Sequence, residues 1–270
     1  MKLGGVEGVL LARSERGDGL HQVVSIELDG RAVIVKVYGR KRPRLPTAVR
    51  AFGHRFLVGK TGLGAATRRA TEARVLELWR ANGFAVPAVL DVALPEPIAE
   101  PYLVLERIDG ESFDRRLRSG AHGRELEAAA ARFAGEWSRR HALAERRTAP
   151  ELVHAHPSFA HVIDRAGELV YFDFEYAYTD RRRVPELVDV EIAGFVASLQ
   201  RAAGERASRL LDVLVAHYPE RERLERTAAR GAVGRFRALE PLARLAPALR
   251  GRGPRKLRES VAALRAALSR

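Results

Sequence analysis

Residues 5–12 and 20–28 alternate apolar and polar positions at the two-residue period of a strand, and the run Ser14-Glu15-Arg16-Gly17-Asp18-Gly19 between them predicts a hairpin turn. Asp29-Gly30 predicts a second hairpin into the strand Ala32–Tyr38, because D-G between apolar alternations suits a tight two-residue turn. A basic segment follows from Gly39 to Lys60. The pattern then changes period. Ala70, Ala73, Leu76 and Trp79 recur at three-residue spacing, predicting a helix from Gly64 to Asn82 that stops at Asn82-Gly83. Val86–Leu90 and the apolar strand Tyr102–Glu106 come next, then a turn at Asp109–Ser112 and a long amphipathic helix from Arg124 to Arg147. Two short apolar runs, Val162-Ile163 and Leu169–Phe172, flank the turn-like Asp164-Arg165-Ala166-Gly167. Beyond Pro185 almost everything reads as helix, punctuated by Gly204, Pro219, Gly231, Pro241, Pro247 and Gly251–Pro254. Strands first and helices after describe an α+β protein, with a small antiparallel sheet lobe over 1–108 and a larger helical lobe over 109–270.

Composition narrows the class without naming a chemistry. At 270 residues, 46% hydrophobic and 30% charged, the chain is long enough for two lobes around a cleft. No apolar run approaches the roughly 20 residues of a membrane span, and Met1–Gly5 lacks a secretory apolar stretch, which predicts a cytoplasmic protein. The absence of cysteine excludes disulfides, thiolate metal ligands and a cysteine nucleophile. The net charge of +13 is uneven: residues 31–80 carry thirteen Lys/Arg against two acids, and residues 201–270 carry seventeen against seven. Such regions suit an anionic partner, or are solvated faces of an Arg- and Ala-rich chain. Aromatics are sparse in the last seventy residues (Tyr218, Phe236), which argues against nucleic-acid binding by base stacking. Leu257, Val261, Leu264 and Leu268 beside Arg255, Lys256, Arg258 and Arg265 form a stripe that suits either a membrane surface or packing within the helical lobe.

Few residues are placed to carry chemistry. Lys36 stands in the apolar strand VIVKVY, pointing either to solvent or into a cleft. Glu72 falls on the helical face of Leu76 and Trp79, where a carboxylate needs a partner, and Lys36 is the candidate. His154, His156 and His161 occupy a short polar loop, and the following apolar run ends in Asp173-Phe174-Glu175. Three imidazoles with Asp173 could ligate a metal for a hydrolase, or could satisfy loop hydrogen bonds. Val58-Gly59-Lys60-Thr61 resembles the end of a phosphate-binding loop, but His54 stands where its first glycine belongs. Ser158 lacks a G-x-S-x-G setting.

Strand Lys36, helix Glu72, the strand YLVLE, a histidine-rich loop and then DFE occur in kinase order. The chain resembles the protein-kinase-like superfamily over residues 5–195, nearest in pattern to the lipopolysaccharide kinases that phosphorylate Kdo or heptose sugars, with aminoglycoside- and choline-kinase-like features. The resemblance implies a two-lobed kinase-like fold, with 151–178 as the catalytic-loop segment, and the cofactors ATP and Mg²⁺. It implies that Lys36 contacts phosphate and pairs with Glu72, that Gly17 and Gly19 belong to a nucleotide-covering turn, and that Glu106 through Ile108 meet adenine. It assigns metal binding to Asp173 and His161, a structural loop role to His154, and loop bracing to Asp189. His156 stands where these families carry the catalytic Asp; imidazole is a general base near neutral pH but supplies no fixed negative charge. Two functions follow: phosphotransfer to a sugar hydroxyl of an anionic envelope glycolipid at the inner membrane face, or a pseudokinase that binds nucleotide and serves as a regulator or scaffold.

Overall fold

The computed structural model of the chain describes residues 1–13, 21–39, 59–62, 64–119, 123–230 and 253–270. They divide into two compact units, Met1–Gly110 with Val170–Asp180, and Glu111–Leu169 with Arg181–Arg270. Gly17 and Gly19 and the basic segment 40–58 lie outside the described residues.

The first unit contains strands β1 (Lys2–Leu3), β2 (Val6–Arg13), β3 (His21–Leu28) and β4 (Arg31–Tyr38), helix α1 (Ala65–Ala81), and strands β5 (Val89–Leu90) and β6 (Tyr102–Glu106). They form one antiparallel sheet in the order β1-β2-β3-β4-β6-β5. Asp29 (φ 50°) and Gly30 (φ 72°) both adopt the left-handed backbone that a two-residue hairpin turn with right-handed strand twist requires. Alternation then sorts the side chains. Val24, Ile26, Val33, Val35, Val37 and Val104 share one face with Leu94 and build a core there, which leaves Lys36 and Tyr38 on the opposite face.

Helix α1 buries Ala65, Arg68, Thr71, Glu72, Val75, Leu76 and Trp79. Ala70 is exposed and Ala73 half-buried, so the three-residue stripe read from the sequence holds only at its Leu76–Trp79 end. The reason is geometric: a strict three-residue step drifts off one face of a 3.6-residue helix, whereas alternating steps of three and four stay on it.

The second unit holds β7 (Glu111–Ser112), α2 (Phe113–Arg118), α3 (Arg124–Arg147) and β8 (Val162–Arg165). Strand β9 (Glu168–Tyr171) carries the chain into the first unit; α4 (Val184–Ala203), α5 (Ala207–Ala216), α6 (Arg221–Arg230) and α7 (Gly253–Leu268) complete the second. Strands β7, β8 and β9 form a small sheet in that order. The centre of this unit is aromatic: Phe133 lies 4.8 Å from Phe159, 5.1 Å from Phe195 and 5.3 Å from Trp137 between ring centroids. In α7, Val261, Leu264 and Ala267 are buried, and Val261 packs with Ala193 of α4. That face is therefore used for packing rather than presented to a membrane. Among the described residues no helix is long and apolar enough to cross a membrane.

Candidate functional site

The arrangement at Lys36 follows from two local alternations. In β4, Val35 and Val37 enter the valine core, so Lys36 and Tyr38 project together toward α1. After β9, Phe174 is buried against Trp79 with ring centroids 4.6 Å apart, which turns its neighbours Asp173 and Glu175 to the other side. Asp173 has φ 70°, a left-handed backbone that costs a non-glycine residue on the order of 1 kcal/mol or more.

These side chains converge on one ammonium. Lys36 Nζ donates to Glu72 Oε1 at 3.0 Å and to Asp173 Oδ1 at 2.7 Å, and lies 3.1 Å from Glu175 Oε1. Tyr38 Oη donates to Glu72 Oε2 at 2.6 Å. Arg68, wholly buried, donates from Nη1 to Glu175 Oε2 at 3.0 Å and from Nη2 to the Gly39 carbonyl at 2.7 Å. Burial opposes charge on Lys36, but the carboxylates of Asp173, Glu72 and Glu175 outweigh it and hold the amine well above the usual lysine range. Burial, reinforced by Glu72, pushes the Tyr38 phenol up, so it serves as a donor and not as a phenolate. Two buried cations, Lys36 and Arg68, are thus paired with the carboxylates of Glu72, Asp173 and Glu175. Glu72, Asp173 and Glu175 each bring a ligand oxygen within 4.8 Å of the others. Carboxylate oxygens are the hard ligands that a cation such as Mg²⁺ takes, and here all three carboxylates already contact the Lys36 ammonium.

Of the residues singled out from the sequence, Lys36, Glu72 and Asp173 are brought together. Glu106 is not with them. It opposes Val33 in the sheet and so shares the valine-core side; its Oε2 accepts from Ala88 N at 3.0 Å and its own N–H donates to Ala88 O at 2.8 Å. Lys60 occupies an extended bridge with Tyr178, its Nζ 5.0 Å from that ring's centroid, and α1 begins only at Ala65. A phosphate-binding loop would instead run its lysine into a helix N-terminus. Burial lowers the Lys60 amine to about 8. Glu175, Arg68 and Tyr38 were missed by sequence reasoning. Two-residue spacing from Lys36 along β4 is the signal that could have found Tyr38.

The histidines belong to the second unit. His154 is buried, and its Nδ1 accepts the His156 N–H at 3.1 Å, which places its proton on Nε2 in the neutral ring. His161 Nδ1 lies 3.0 Å from the His156 carbonyl oxygen and therefore donates to it. The His154 and His161 rings stack at 5.8 Å. Among the described residues the three histidines form no group with metal-ligand spacing.

The loop is braced by Glu191, which corrects the reading of Asp189. Glu191 Oε2 accepts the His154 N–H at 2.8 Å, and Arg140 forks onto both Glu191 oxygens while reaching the Leu152 carbonyl. Asp189 instead accepts from Thr227 Oγ1 at 2.8 Å and from Arg226 at 3.4 Å. Positions 189 and 191 lie about 200° apart around a helix, so only one of them can face the loop. Burial pushes the Glu191 carboxyl up, but Arg140 and His141 outweigh it and bring it to about 2. His141 is driven down to about 4, chiefly by burial. The loop also lies tight on α4: a Cβ on Gly194 would fall 2.4 Å from Pro157 Cγ.

No protein-family model matches this chain, and no curated protein is significantly similar to it.

Proposed function

We propose that the chain is a kinase-like, Mg²⁺- and nucleotide-dependent phosphotransferase, its two units corresponding to the sheet and helical lobes of that fold. The supporting observation is the buried Lys36 ammonium held jointly by Glu72 and Asp173. Kinases use a strand lysine fixed by a helix carboxylate to hold phosphate oxygens, and a nearby aspartate to hold the metal. Glu72, steadied by Tyr38, keeps Lys36 charged and aimed; Asp173, with Glu175 beside it, would hold Mg²⁺. The ion, when bound, neutralises charge on the transferring phosphoryl group.

The Lys36 side of the sheet also suits a base. Val9 and Ser25 pair across β2 and β3, and Ser25 with Ile34 across β4, so Val9, Val23 and Ile34 line the sheet side that carries Lys36. Val9 is 67% exposed, an apolar surface with room for a flat ring. ATP is the donor implied by the resemblance. In the transfer, the acceptor hydroxyl oxygen bonds to the γ-phosphorus as the bond from that phosphorus to the bridging oxygen breaks and the nucleoside diphosphate leaves, and the hydroxyl proton goes to a general base, the role that the resemblance gives to position 156. The acceptor class we favour is a sugar hydroxyl on an anionic glycolipid at the cytoplasmic membrane face, consistent with the basic excess over 31–80 and 201–270. A pseudokinase is the second reading, favoured by His156 in place of a fixed carboxylate.

Thermal melting and calorimetry with Mg²⁺ and ATP or GTP test the reading. Saturable binding lost in Lys36→Met and weakened in Asp173→Asn is expected. No stabilisation by any Mg²⁺–nucleotide would sink it. Binding without turnover, with phosphotransfer gained by His156→Asp, would select the pseudokinase.

A further inference from the structure

The side of the sheet that carries Lys36 has a second cation at its far end. Lys36 pairs with Leu103 in β6, and strand alternation places Leu105 and Arg107 on that same side. Arg107 confirms the placement by reaching back across the strands: its Nη1 lies 3.3 Å from Ser25 Oγ, and Ser25 occupies the row of Val9 and Ile34. Its Nε lies 3.4 Å from Asp109 Oδ1, but that aspartate is 89% exposed and holds little. The guanidinium thus lies over Ser25, in the row between Val9 and Ile34 and within the apolar strip that these residues form with Val23. Lys36 lies about 7 Å further along the strand, at ~3.3 Å per residue over the two residues from Ile34, which opposes Ser25. A nucleotide with its phosphates at Lys36 would bring the edge of its base to Arg107.

A guanidinium has donors only. Adenine presents an acceptor beside an amino donor along its N7 and six-position edge, so its amino group would oppose the guanidinium. Guanine and hypoxanthine present two acceptors there, N7 and O6, which an arginine fork satisfies together. Resting on the nucleotide-site reading above, we infer that Arg107 is a specificity determinant that selects a 6-oxopurine nucleotide over an adenine nucleotide.

The test is calorimetric affinity of the full chain for the Mg²⁺ complexes of ATP, GTP and ITP. ITP separates the six-position oxygen from the guanine amino group. GTP and ITP are expected to bind roughly tenfold more tightly than ATP, the scale of one good base-edge pair. Arg107→Met, which keeps an apolar stem across the strip, should lower GTP and ITP affinity by about that factor and erase the preference. Arg107→Lys should fail to restore it, because a point charge cannot fork. Tighter binding of ATP, or equal weakening of all three nucleotides by Arg107→Met, overturns this inference and leaves the nucleotide site standing. Absence of binding by all three overturns both.

Discussion

Arg140→Met offers a sharp test of how the histidine loop is held. Arg140 and Glu191 are both wholly buried, joined by a two-pronged ion pair, and each also holds loop backbone: Arg140 the Leu152 carbonyl, Glu191 the His154 N–H. Removing the arginine alone strands a carboxylate whose charge the site has stabilised, its pKa being held near 2. Breaking a buried pair from one side costs about 3–5 kcal/mol. Replacing both members, Arg140→Met with Glu191→Met, removes the stranded charge and leaves chiefly the His154 N–H and the Leu152 carbonyl without their partners. That should cost only about 1–3 kcal/mol. The double variant is therefore expected to be more stable than the single one. Urea denaturation followed by Trp137 fluorescence measures this, since that ring lies 5.2 Å from His141 within the same cluster. A single-variant cost under about 1 kcal/mol, or a double variant no better than the single, would refute the assignment of Glu191 as the charged brace.

Three further outcomes are expected. His141 titrates near 4 in the fold against an ordinary 6.5, so the unfolded chain takes up its proton first; its contribution is intact above pH 6.5 and fades by about 3 kcal/mol as pH falls to 4. His141→Asn should flatten that part of a stability-versus-pH curve, and an unchanged slope would count against it. Tyr38→Phe deletes the hydroxyl donor to Glu72 and should lower stability by about 2 kcal/mol in thermal or urea melts. Gly194→Ala should destabilise by about 1 kcal/mol net, since overpacking against Pro157 costs about 1–3 kcal/mol while alanine recovers up to about 1 kcal/mol of helix propensity; a gain in melting temperature would show that the loop can shift.

Much of the first unit was legible because its signals are local. The Asp29-Gly30 turn, the alternation of β4 and the stop of α1 at Asn82-Gly83 depend on a few neighbouring residues each. The same alternation implies that Tyr38 shares a side with Lys36. What local pattern conceals is which partners the charged residues meet inside. Arg68 and Arg140 sit in helices otherwise rich in solvated arginines; helical spacing puts them on the buried face, four residues before Glu72 and three after Trp137, but does not say what pairs with them. Their burial depends on Glu175 and Glu191, which lie far along the chain. Glu191 was overlooked in favour of Asp189 for a related reason: both head into one helix, and only packing decides which side meets the loop.

By itself, then, the sequence determined the α+β class, the strand that presents Lys36 and the order of Lys36, Glu72 and Asp173 along the chain. Periodicity and turn chemistry are properties of contiguous residues and survive without a fold. The tertiary structure alone decided that one ammonium is shared among Glu72, Asp173 and Glu175, that Arg68 closes that cluster from below, and that Arg107 reaches Ser25 across the sheet. Those facts join residues as far apart along the chain as Lys36 and Glu175. A buried charge is tolerated only where its partner also arrives, and that arrival belongs to the fold as a whole.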